Sequence, residues 1–311
     1  MPGASRVPRV RLNRGYAYRE TVSAPGEPGE TVLQWLARRY RHSTSAEWSA
    51  RFARGEVEVD GRVATGDEPL AQGQVVVWHR PPWLEEDVPR HFGLLYEDEA
   101  LVVVDKPSGL PTVPSGGFLE NTLLYLVREK WPEASPAHRL GRATSGLVVF
   151  TRTKRAAANV SEAFRTGAID KRYRALAAGV AEQDLYEITA PIGLVAHPRL
   201  GAVHGANEGG RPSRSTARVL ERRPEATLFE VRIHTGRPEQ IRIHLAFIGH
   251  PLAGDPLFVA GGGANPVAPG LPGDGGYLLH AESVTLPHPE TGSPLRVRSP
   301  APPELLTANG K

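Results

Sequence analysis

The sequence predicts an α+β protein with a mixed, largely antiparallel sheet. Three observations carry that reading. Beyond residue 90, apolar runs of strand length follow one another closely. Only three segments of helical period interrupt them. Strands and helices do not alternate one for one, as a parallel βαβ sheet requires. Before residue 80 the pattern is different: two short helical segments, then an alternating hairpin.

Taken in order, residues 1–20 are polar, basic and without a period, and are expected to form a flexible arm. Residues 21–79 read as a small module. TVLQWLARRY sets Val32, Leu33, Trp35 and Leu36 at helical spacing. It ends on Arg38, Arg39 and Arg41, cations that complement a helix C-terminus. SAEWSARFARG supplies a second helix with Trp48 and Phe52 on one face, ended by Gly55; Trp35 and Trp48 read as core. The alternation at 56–59, the turn Asp60-Gly61 and a short return strand make a hairpin, and 74–78 adds a strand. Residues 80–90 are Pro-rich and acidic, the expected linker.

The large domain spans 91–305, with a tail at 306–311. Strands are expected at 92–95, 101–104, 147–151, 173–179, 216–220, 227–234 and 283–286, and helices at 121–131, 155–166 and 238–248. The Gly-rich stretches 196–212 and 260–276 read as loops, the second a candidate for disorder, and 207–215 as a solvated hairpin tip.

Composition narrows the chemistry. The chain has 311 residues, 37 Lys plus Arg against 34 Asp plus Glu, a formal net charge of +3 and no Cys. Disulfides, thiolate metal sites and Cys nucleophiles are excluded. Lysine stands at only five positions, Lys106, Lys130, Lys154, Lys171 and Lys311; every other basic residue is Arg, the side chain suited to gripping phosphate. No apolar run reaches membrane-span length, and the start lacks the apolar stretch of a secretory signal. A cytoplasmic monomer without membrane contact or metal is expected, large enough for one big core and a smaller module; the histidines show no paired ligand spacing on a helix face.

Three segments hold the candidate chemistry. HRLGRATSGLVVFT, from His138 to Thr151, is a basic loop entering an apolar strand, placed to hold phosphate. DKRYRA, from Asp170, opens another strand. TGRPEQIRIHL, from Thr235, ends a strand and starts a helix, with Pro238 at the first helical position and Glu239 where the helix dipole favours an acid. Ile241, Leu245 and Ile248 are expected to face the core, leaving Gln240 and Arg242 to face a ligand.

Together with DKPSGLPTVP (Asp105 to Pro114) and LLHAESVTLPHPETG (Leu278 to Gly292), these segments resemble the RluA type of RNA pseudouridine synthase, over roughly 91–305 and in that family's order. The module at 30–78 is similar to the alpha-L RNA-binding module, through its spacing and EVEVDGR. The resemblance implies a long mixed, mainly antiparallel sheet with flanking helices and a central cleft for a flipped uridine, RNA (rRNA or tRNA) as partner, and no cofactor. It implies that Arg139 enters the RNA beside that uridine, that Tyr173 stacks on the uracil and acts as a base, and that Arg242 holds the catalytic carboxylate. Candidate RNA contacts are His138, Arg139, Arg142, Thr144, Ser145, Gly146, Lys171, Arg237 and Gln240.

One position departs. The family motif is His-Arg-Leu-Asp, and its Asp is the essential carboxylate; here that residue is Gly141, which can neither attack carbon nor accept a proton. The family's Thr-His before Gln-Ile-Arg is changed to Pro238-Glu239. Three readings follow: a synthase using a carboxylate from elsewhere (Glu239, then Asp105, Asp170 or Asp255), an RNA clamp that flips a uridine without isomerising it, and, last, glycosidic hydrolysis by paired acids.

Overall fold

The computed structural model describes residues 10–24 and 26–310. It divides into two compact units, residues 1–86 and 87–311.

The first unit contains β1 (Arg11–Leu12), β2 (Tyr16–Thr21), α1 (Val32–Arg39), α2 (Ser45–Ala53), β3 (Val57–Val59), β4 (Arg62–Val63), β5 (Val75–Arg80) and β6 (Leu84–Glu85). Both helices begin with capping boxes, Thr31 with Gln34 and Thr44 with Glu47, which satisfy backbone N–H groups that have no partner within the helix. Val32, Trp35, Leu36, Trp48 and Phe52 bury their side chains with Val57 and Val76 of an antiparallel sheet ordered β2-β5-β3-β4. Asp60 and Gly61 both take positive φ, the twist a two-residue hairpin turn demands. The arm expected at 1–20 is corrected where it is described: Tyr16 to Thr21 pair along the whole of β5. The segment has no apolar alternation because it is an edge strand with most side chains exposed; its order comes from the neighbour's ladder and from Tyr18 stacking on Trp78, ring centroids 5.3 Å apart. Residues 1–9 lie outside the described residues.

The second unit contains β7 (Gly93–Glu97), β8 (Leu101–Lys106), α3 (Leu123–Arg128), β9 (Ser135–Pro136), β10 (Ser145–Thr151), α4 (Lys154–Arg165), β11 (Asp170–Ala178), β12 (Leu185–Ile188), β13 (Ile192–His197), β14 (Gly201–Ala206), β15 (Ser215–Arg222), β16 (Ala226–Ile233), α5 (Gln240–Phe247), β17 (Leu279–Pro287) and β18 (Pro294–Arg298). Ten strands form one sheet, in the order β12-β15-β16-β11-β17-β10-β8-β7, with β18 beside β17 and β9 beside β10. All its pairings are antiparallel except one: β10 meets β17 in parallel, over Ser145 and Gly146 against His280 and Ala281. This short seam joins the two halves of the sheet. Gly146 is required there, because a Cβ would stand 2.4 Å from the Ala281 carbonyl oxygen and φ is +105°. The fold is the mixed, mainly antiparallel α+β sheet that the sequence predicts.

Two expectations change. The stretch 196–212 is not simply loop, since β13 and β14 form a hairpin there. The stretch 260–276 is irregular yet tied down: Asn265 N–H donates to the Leu257 carbonyl at 2.7 Å and Gly270 N–H to that of Pro256 at 3.0 Å. The hairpin and residues 257–258 build a second small core with Ile243 and Ala246, while Ile241 and Leu245 join the main one. Helix α5 therefore lies between two cores, and Gln240 through Ala246 are all buried.

Candidate active site

The loop before β10 lies on a bed made by the DKPSGLPT segment. The Thr112 hydroxyl donates to the Leu140 carbonyl at 2.9 Å and accepts from the Leu140 N–H at 3.1 Å. Ser108 donates to the Ala143 carbonyl at 2.6 Å, and Gly109 N–H to that of Arg142 at 2.8 Å. Lys106, completely buried, donates from Nζ to the carbonyls of Pro107, Leu110 and Arg142 at 2.9, 2.7 and 3.1 Å. Burial pushes its amine down to about 7, with Asp105 opposing. Backbone carbonyls 140, 142 and 143 are thus fixed by three side chains, and the position of Gly141 follows from them. From the loop, Arg139 projects exposed, with no hydrogen bond or ion pair among the described residues.

Beside Gly141 stands an assembly around Arg242, which is 1% exposed. Its Nε and Nη2 donate to the two oxygens of Asp255 at 2.7 and 2.8 Å, a bidentate pair. Its Nη1 donates to Glu239 Oε2 at 2.8 Å and to the Pro272 carbonyl at 3.1 Å. Burial works against the guanidinium's charge, but Asp255 and Glu239 outweigh it and raise the pKa. The Asp255 side chain is wholly buried, whereas that of Glu239 is 23% exposed. Glu239 holds φ of 55°, a left-handed conformation that strains a residue with a Cβ. The ring of Tyr277 covers Arg242 at 4.3 Å. A Cβ built on Gly141 would lie 3.2 Å from the Tyr277 hydroxyl.

Tyr173 sits on β11, opposite Ala281 of β17 and Val231 of β16. The β11–β17 register slips beside it, where Glu282 is inserted as an extra residue, a bulge that re-aims the neighbouring side chains. Tyr173 is 7% exposed, and burial pushes its phenol up to about 12. At neutral pH the phenol therefore holds its proton more firmly than an exposed tyrosine does. Lys171, two residues earlier and on the same face, places Nζ 5.0 Å from the Phe164 ring. Burial lowers its pKa.

The other expected residues divide by role. His138 Nε2 accepts the Val149 N–H at 3.1 Å; burial, then the Lys171 charge, push its pKa down to about 3, so the ring is neutral. Thr144 is buried with its hydroxyl 3.4 Å from that of Tyr277. Ser145 bonds His280 Nδ1 at 2.9 Å, and Gly146 makes the seam. Arg142 donates to the Gly109 carbonyl and lies over Phe118. Arg237 donates to the Pro212 carbonyl. Two ligand-facing expectations are corrected. Gln240, 3% exposed, is spent on Thr235, Arg214, Ser215 and the Arg237 N–H, and Arg242 is enclosed with its carboxylates. The reason is the second core, which covers the helix face that an isolated amphipathic pattern leaves open. Asp105 accepts from Ser299, and Asp170 pairs with Arg172 and Arg232. Lys106 stands out in the sequence only as one of five lysines, and Thr112 and Tyr277 do not stand out at all. The first two lie in DKPSGLPT, and Tyr277 immediately precedes LLHAES; the motifs were the available signal. Among the described residues no group of three or more His, Asp or Glu is arranged to hold a metal ion, and no helix is long and apolar enough to cross a membrane.

A mixed sheet with a basic loop at its parallel seam is the frame of the site, and similarity to known proteins gives its class. A family model described as RNA pseudouridylate synthase matches residues 100–247. An uncharacterized RNA pseudouridine synthase of Synechocystis is 39% identical over 90% of this chain and 97% of its own. A ribosomal large subunit pseudouridine synthase D of Xanthomonas campestris is 31% identical over 91% of this chain and 88% of its own. The solved structure of human RNA pseudouridylate synthase domain containing 4 superposes with a TM-score of 0.55 at 25% identity, covering 68% of this chain and 90% of that one. The chain belongs to the RNA pseudouridine synthase family.

Proposed function

We propose that this protein isomerises uridine to pseudouridine in structured RNA, with Glu239 as the carboxylate of the site. The observation that carries the reading is the Arg242–Glu239 contact beside Gly141. Of the two carboxylates on that buried guanidinium, only Glu239 reaches solvent, and it does so from a strained backbone. In the isomerisation the N1–C1′ bond breaks, the uracil turns, C5 bonds to C1′, the C5 hydrogen leaves as a proton and N1 takes up a proton from solvent. The composition is unchanged and nothing is oxidised. The reading gives each group one task. Arg139 enters the RNA beside the extruded nucleotide, Tyr173 stacks on the uracil, and Glu239 sets negative charge against the ribose as its bond to N1 weakens. The ammonium of Lys171 and the exposed arginines supply phosphate contacts. The name of the Xanthomonas relative points to RNA of the large ribosomal subunit as the first substrate to try, with tRNA next.

The test is pseudouridine mapping across rRNA and tRNA of cells with and without the gene. A site lost in the deletion and restored by the wild-type gene is expected, and Glu239→Gln is expected to restore less than a tenth of it while folding normally. Full restoration by Glu239→Gln removes the carboxylate assignment. RNA binding with no change in pseudouridine anywhere supports the clamp instead.

A further inference from the structure

Gly141 and Tyr277 interlock. The hydroxyl of Tyr277 takes up the space into which a side chain at 141 would grow, 3.2 Å from the Cβ site, with Thr144 Oγ1 3.4 Å from the hydroxyl and 3.5 Å from the same Cβ site. Its placement is built in. Gly276 and Gly254 cross so closely that a Cβ on either would meet the other's carbonyl oxygen, at 2.8 and 2.3 Å, and both hold positive φ. That crossing delivers Tyr277 to the site just before β17 begins, and the Arg242 guanidinium under its ring fixes the ring plane. Burial raises the Tyr277 pKa, with Arg242 opposing, so the group is a hydrogen-bond donor at neutral pH.

We propose that Tyr277 is a substrate-contacting residue of the isomerisation, its hydroxyl donating a hydrogen bond to an oxygen of the extruded uridine at the place where position 141 carries no side chain. This rests on the functional reading above and deepens it: Glu239 supplies the charge, and Tyr277 the neutral donor. Glycine at 141 is then a requirement of the tyrosine and not simply a loss.

A double-mutant cycle tests it. RNA from cells lacking the gene, labelled with tritium at uridine C5, releases tritium as the C5 hydrogen leaves. Tyr277→Phe keeps the ring on Arg242 and removes the donor; kcat is expected to fall tenfold or more, with KM and melting temperature near wild type. Gly141→Ala crowds the hydroxyl and is expected to lower kcat comparably, yet to cost nothing further in the Tyr277→Phe background. Unchanged kcat in Tyr277→Phe, or effects of the two changes that simply multiply, overturns the proposal and leaves the synthase reading standing. Wild-type protein that releases no tritium overturns both.

Discussion

At the scale of single residues, the site is held by groups whose surroundings fix their charge. Arg242 is the centre. Removing it leaves Asp255 buried and uncompensated, so Arg242→Met is expected to destabilise the fold by about 3–5 kcal/mol, read from the urea midpoint. His138 shows the opposite economy, a ring kept neutral because its Nε2 must accept the Val149 N–H. Its pKa falls from 6.5 to about 3 on folding. The folded state therefore takes up the proton later than the unfolded chain. The contribution is complete above about pH 6.5 and declines as the pH falls from there toward 3. The difference in stability between wild type and His138→Gln is expected to shrink across that window; a constant difference from pH 7.5 to 4.5 contradicts it. The family resemblance put Arg139, Tyr173 and Arg242 forward for the site; the helical pattern set Gln240 and Arg242 toward a ligand, and both are buried. The second core beneath α5 comes from residues 192–206 and 257–258, far away in the chain, and a helical period carries no trace of them.

At the scale of elements, the seam between β10 and β17 is the vulnerable place. It is two residues long, parallel, and depends on a glycine that no other residue can replace without displacing the Ala281 backbone. Gly146→Ala is expected to cost about 2 kcal/mol or more and to lower activity with it, since the loop bearing Arg139 and Gly141 enters β10 at that point. Thermal melting with and without the change measures the first effect. Most strands here were legible because β8 and β10 are continuous apolar runs buried on both faces, the clearest strand signature available. The strands missed, β1, β2, β6, β9, β12 to β14 and β18, are short, Gly-bearing or exposed, and owe their order to a partner strand.

At the scale of the whole molecule, a net charge of +3 conceals 37 basic side chains, many of them exposed arginines. RNA affinity is expected to fall steeply with salt, log Kd rising linearly with log salt, and Lys171→Met to reduce that slope by about one. A slope of zero contradicts the phosphate contacts assigned above. Residues 87–311 carry both the main core and the core beneath α5, so that segment expressed alone is expected to melt cooperatively.

The amine of Lys106 has a use outside catalysis. Three carbonyls suit the three N–H bonds of an ammonium, and the flat fork of a guanidinium cannot satisfy them in the same space, so this position stays lysine in a chain that otherwise favours arginine. Shut in that cage, the amine is shielded from acylating reagents; once the loop lifts from its bed it is an ordinary nucleophile. The rate at which an activated ester labels Lys106 therefore reports how often the loop opens, and bound RNA that clamps the loop should slow the labelling.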